Sequence, residues 1–158
     1  MKNFAIEIKW GLIYIVASLL WMALEKTVGL HDVHIDKHPI YTMLFLFVAI
    51  AVYSLAIRDK KKNFFKGEMT WKQGFVSGIV MTIVAALLTP LMQYITSAFI
   101  TPDFFKNAIA YAVEHNKVTR EQAESYFNMK SYITQATFGT LSFGVVISAI
   151  SAFFNKSK

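Results

Sequence analysis

The sequence predicts an all-α integral membrane protein: a four-helix bundle with two short amphipathic helices in the loop between spans three and four. Three observations predict it. Asp, Glu, Lys and Arg are absent from residues 10–24, 39–57, 73–102 and 131–155. About 20 apolar residues rising 1.5 Å each cross a hydrocarbon core of about 30 Å, and the last three stretches meet that length unaided. Residues 76–91, VSGIVMTIVAALLTPL, are apolar around the whole helix, where a soluble bundle would need a polar stripe. Finally, only 16% of the chain is charged, against about 25% in soluble proteins. The expected spans are 4–24, 39–57, 73–100 and 131–154, within one domain covering residues 1–158.

Span one is the shortest apolar run. Phe4, Ala5, Ile6 and Ile8 extend it, and Lys9 can carry its ammonium to the interface on an apolar stem. A cleaved leader is the competing reading. Its small residues, Ala17 and Ser18, lie inside the run and are followed by Leu19, Leu20, Trp21 and Met22, a poor cleavage context. Trp10 and Trp21 fall near the two ends, where interfacial aromatics belong. Glu7 and Glu25 flank the span and are expected to be hydrated. Span two has almost no polar content and is expected to face lipid widely.

Span three opens with Thr70 as a helix cap and Trp71 as a headgroup anchor. Gly74 and Gly78 form a G-x-x-x-G pair that admits a close neighbour, and Pro90 should bend the helix further on. Span four carries Thr140, Gly144, Ser148 and Ala152 at intervals of four. Small faces on both spans predict that they pack on one another, with a homodimer as the alternative use. Between them, Thr101-Pro102-Asp103 reads as a helix start. That helix should end near Asn116, and Thr119 to Gln122 matches a capping box for a second.

Charge sets the expected orientation. The ends and the loop after span two hold ten of the sixteen basic residues and three of the ten acidic ones. The opposite side holds six basic and seven acidic residues. Positive charge is retained in the cytoplasm, so both termini are expected there. The expected partners are the lipid bilayer, a second copy or another membrane protein. Nucleic acid is not expected, because no recognition fold accompanies the charge. Zero cysteines exclude disulfides and thiolate ligands.

The first loop contains HDVHIDKH, residues 31–38. A helix would align His31, His34 and His38, whereas an extended chain would align Asp32, His34, Asp36 and His38. Either set has the imidazole and carboxylate chemistry of a zinc site. The competing reading is a solvated polar loop. His115 is expected on the same side of the membrane and could add a ligand. Gln93 and Gln135, toward the outer ends of spans three and four, are expected to bond across that seam or to meet a ligand.

No ionisable residue lies in the centre of any span, and no phosphate loop, nucleophile elbow or haem ligand pair is present. The chain therefore reads as non-enzymatic, with no cofactor beyond zinc at the histidine loop. The leading expectation is an interaction or accessory module. A small dimeric transporter or channel, lined by Thr82, Thr89, Gln93, Thr96 and Gln135, is the second. A metal-binding or pH-sensing protein is the third.

Four segments carry a resemblance: GEMTWKQGFVSG (67–78), ITPDFF (100–105), VTREQAESYF (118–127) and the small-residue fourth span. In these the chain resembles a family of small four-span inner-membrane proteins of Gram-negative bacteria, catalogued as a domain of unknown function. The resemblance implies the membrane fold and no catalytic residues.

Overall fold

The computed structural model describes residues 4–157, so Lys2 and Lys158 of the charge argument lie outside the described residues. Every regular element described is helical. Helix α1 is Ala5–Thr27. The short α2, His38–Tyr41, leads through a 3₁₀ turn into α3, Phe45–Asn63. Helix α4, Trp71–Ile95, passes through Pro90 and ends in a π turn, Thr96–Ile100. The connecting helices are α5, Phe104–Glu114, and α6, Arg120–Tyr126, and α7 is Met129–Asn155. Four helical stretches of 23, 26, 30 and 27 residues are long and apolar enough to cross a membrane.

The caps follow local chemistry. At Thr70 and at Thr119 the hydroxyl accepts from the backbone N–H three residues on, and Gln73 or Gln122 reaches back to complete a capping box. Thr101 departs from expectation. Its N–H and hydroxyl both donate to the Thr96 carbonyl and close the π turn, so α5 starts from Asp103 with no side-chain cap.

The bundle is inverted relative to a soluble one. Ser77, Thr82, Thr89, Ser148 and Ser151 are buried, while Leu20, Leu87, Phe99 and Phe154 are among the most exposed side chains. Hydroxyls tolerate this burial by bonding their own helix. Thr82 donates to the Gly78 carbonyl, Thr89 to Ala85 and Ser148 to Gly144. The apolar exterior is what a hydrocarbon solvent asks for.

Small residues set the α4–α7 seam. A Cβ built on Gly74 would lie 3.2 Å from the Ala152 methyl, one on Gly78 would meet Ser148, and one on Gly144 would meet Thr82 and Tyr53. The two stripes thus face one another within a single chain. Thr89 and Thr140 complete the seam, with their hydroxyls 3.3 Å apart.

Span two keeps a broad exposed face, with Ile40, Met43 and Phe47 outward, and buries only one stripe. Tyr53 and Ile57 are among the most buried side chains in the molecule, and Tyr53 centres a core with Ala49, Val52, Ala56, Met81 and Ile147. Because the Thr82 hydrogen is given to Gly78, the Tyr53 hydroxyl donates to Thr82 Oγ1 at 2.9 Å. Tyr53→Phe should lower the melting temperature of the solubilised protein by an amount worth about 0.6 kcal/mol, the average for such interhelical bonds. An unchanged melt would mean that this bond adds nothing over its alternatives.

Glu7 and Glu25 are not hydrated flanks, at 2% and 1% exposure. Glu7 is held by Lys60 at 2.9 Å and by the Ser77 hydroxyl at 2.8 Å. At the same end Lys9 and the Trp10 indole meet Asp59, so Lys9 pairs rather than reaching outward alone. Arg58 and Lys61 bind Asn155, while Ser157 bonds to Met69 and closes the chain's end onto the start of α4. This is the basic end of the bundle; the other is the histidine end.

Candidate functional site

The histidine end is built by a chain reversal. Helix α1 stops at Val28, and Gly29 takes φ +78°, a conformation that costs glycine nothing. The Leu30 N–H bonds the Glu25 carbonyl and the Gly29 N–H bonds that of Lys26, the paired bonds of a Schellman ending. The turn folds Leu30 inward and returns His31 over the last turn of α1. Pro39, in the first turn of α2, helps start that helix directly after His38.

His31 and His38 consequently meet Glu25. Glu25 Oε2 lies 3.1 Å from His31 Nε2 and 3.5 Å from His38 Nε2, and Oε1 accepts from the Trp21 indole at 2.6 Å. The three ligand atoms lie within 4.8 Å of one another. Phe104 from α5 covers both imidazoles, with ring centroids 5.2 and 5.1 Å away, and Asn107 donates to the His31 carbonyl. Phe104 and Phe105 also pack edge-on against Tyr132 of α7. Helix α5 therefore rests on the loop and the bundle.

The remaining sequence candidates are placed elsewhere. Asp32, His34 and Asp36 are exposed and outside the converging group, and Asp32 accepts from the Val33 N–H in its own turn. Neither regular alignment applies, because residues 28–37 form successive turns. His115 is exposed at the end of α5 and bonds the Tyr111 carbonyl. Gln93 and Gln135 do not bond across the seam. Gln93 donates to Ser97 and Gln135 to Ser131, each within its own helical segment or one turn beyond, and Gln135 is exposed. Sequence reasoning missed Glu25 as a member of the site. The available signal was its place four residues before Gly29, which turns the chain back over it.

Below the cluster lies a recess of about 380 Å³. Tyr14, Trp21, Phe45, Met92, Tyr132 and Phe143 give it a mostly apolar wall, and His31, His38, Gln93 and Thr96 supply polar groups. Tyr14 marks its deep end, packed edge-on against Phe45 and Tyr53. Past that point the Tyr53–Thr82 bond and Met81 fill the interior.

Fold and site together define a multi-pass membrane-type helical bundle, by the length and composition of its helices, with a recess at one end. The chain belongs to the DUF4199 family of proteins of unknown function, whose model matches residues 9–157. No curated protein and no solved structure matches it.

Proposed function

We propose that the protein is a non-enzymatic binding or accessory module of the inner membrane of a Gram-negative bacterium. Both termini lie in the cytoplasm, and the histidine end, with α5 and α6, faces the periplasm. The observation that carries the reading is the recess. It lies at one end of the bundle, is walled mainly by aromatic and apolar side chains, and its lining residue Tyr14 packs against the buried Tyr53. A conduit for ions or hydrophilic solutes needs a polar path through the middle of the bundle. Thr82 and Thr89, which a pathway between protomers would need, are instead buried in the interior of one chain. Such a recess suits an apolar or amphipathic molecule, or a side chain of a membrane partner, held by shape and a few polar contacts.

The chain lacks cysteine, so each introduced thiol is the sole one. In intact cells, a membrane-impermeant maleimide should label Glu121→Cys directly and Lys62→Cys only after permeabilisation. Thr140→Cys, on the recess wall, should react from the Glu121 side alone. Thr82→Cys, in protein that stays monodisperse, should react from neither side. Labelling of Thr82→Cys in the folded protein would replace the module with a conduit. Labelling of Lys62→Cys in intact cells would reverse the orientation.

A further inference from the structure

We propose that Glu25, His31 and His38 form a binding site for a divalent first-row transition metal ion, with Zn²⁺ as the natural probe. Two imidazoles and one carboxylate are a ligand set that zinc takes in open sites, with the fourth position left to water or another small donor. Two of the three spacings fit a tetrahedron directly. Bonds of 2.0–2.1 Å separate neighbouring ligand atoms by about 3.3 Å, the Glu25 oxygen lies 3.1 and 3.5 Å from the two imidazole nitrogens, and all three ligand atoms lie within 4.8 Å of one another. The ligands come from the end of α1, the turn after it and the start of α2, and the Gly29 reversal brings them together.

A second observation points the same way. His31 is 5% exposed, and its Nδ1 has no hydrogen-bond partner among the described residues. A buried imidazole kept only to latch the loop would use both nitrogens, as buried polar groups do. Here one ring nitrogen faces Glu25 and the other has no partner among those residues. His31 and His38 also line the recess, which is wide enough to admit a small donor to the ion's fourth position and, separately, a water to Nδ1. Trp21 supports the carboxylate from behind, as outer partners of metal ligands do. Phe104 shields the site from the α5 side.

The experiment uses the full chain, purified in detergent, stripped with a chelator and titrated with Zn²⁺ against a chromophoric competitor. Co²⁺ replaces Zn²⁺ in a parallel titration read by visible absorption. The expected result is one ion per chain, a Co²⁺ spectrum of low coordination number and a rise in melting temperature with Zn²⁺. His38→Gln and Glu25→Gln should each weaken binding by more than the roughly 100-fold that loss of an outer partner produces. His34→Gln and His115→Gln should bind as the parent does. Acidification should release the ion, because protons compete for the same atoms. Failure of the parent chain to take up a stoichiometric ion overturns the site, whether or not any variant folds. Parent-like affinity in both His38→Gln and Glu25→Gln overturns it too, as does an equal loss in His34→Gln. In those cases the cluster is a latch holding the first loop.

Discussion

Gly78→Leu should prevent α4 and α7 from closing, and most of the solubilised protein should then aggregate or melt far below the parent. A methyl alone at this position would lie 2.5 Å from Ser148 Oγ, 2.6 Å from its Cβ and 3.2 Å from its Cα. The Cα belongs to the backbone and cannot rotate away, so the whole of α7 must retreat. Overpacking of this kind costs about 1–3 kcal/mol and sometimes more; leucine should reach the upper end. Gly144→Leu should behave alike, since its Cβ would lie 2.6 Å from Thr82 Oγ1 and 2.9 Å from the Tyr53 hydroxyl. Gly139→Ala is the control, because nothing among the described residues lies within 4 Å of a Cβ there. Melting curves of the three variants check the seam. A Gly78→Leu protein that melts beside Gly139→Ala would show that the two helices are further apart than this.

Lys60→Met should be at least as damaging, by a different route. Lys60 and Glu7 are both buried, at 4% and 2% exposure, and the ammonium lies 2.9 Å from the carboxylate. Removing the ammonium leaves a buried carboxylate facing the Ser77 hydroxyl without its cation. Breaking a buried pair from one side costs about 3–5 kcal/mol, whereas replacing both partners is often close to neutral. The double variant Glu7→Gln with Lys60→Met should therefore recover most of the lost melting temperature. If it melts no higher than Lys60→Met alone, the stability of this end lies in other contacts of the Lys60 ammonium, such as the Phe64 ring 3.9 Å away, rather than in the charge pair.

Some features of the molecule were readable residue by residue. The capping boxes at Thr70 and Thr119 depend on side chains three residues apart, so they could be placed without knowing the fold. The small-residue stripes were equally legible, since close helix approach needs small side chains at intervals of four. Their use within one chain, Gly78 against Ser148 and Gly144 against Thr82, was an expectation that needed the helix positions. The misreadings share one cause. Glu7 and Glu25 look like hydrated flanks because their neighbours in sequence are interfacial, yet their partners, Lys60, His31 and His38, lie 6 to 53 residues away. Span two does present a wide apolar face, but the stripe around Tyr53, bonded to Thr82 on another helix, is buried and could not be picked out from its sequence. Gln93 and Gln135 were paired because both are polar and toward the same end. Instead each bonds a serine four residues along its own chain.

By itself, then, the sequence determined the four apolar helices, the capping boxes at Thr70 and Thr119 and the imbalance of charge between the two ends. These follow from local hydrogen bonding and from the cost of placing charge or open backbone in hydrocarbon, and neither depends on what a segment packs against. Only the tertiary structure decided which polar groups meet. The reversal at Gly29 selects His31 and His38 from four histidines, the docking of Phe104 covers them, and a glutamate at the end of α1 completes the group. The physical reason is that a site of this kind is a set of distances between distant residues. Those distances are set by the turn and the helix packing, which residue type and spacing do not encode.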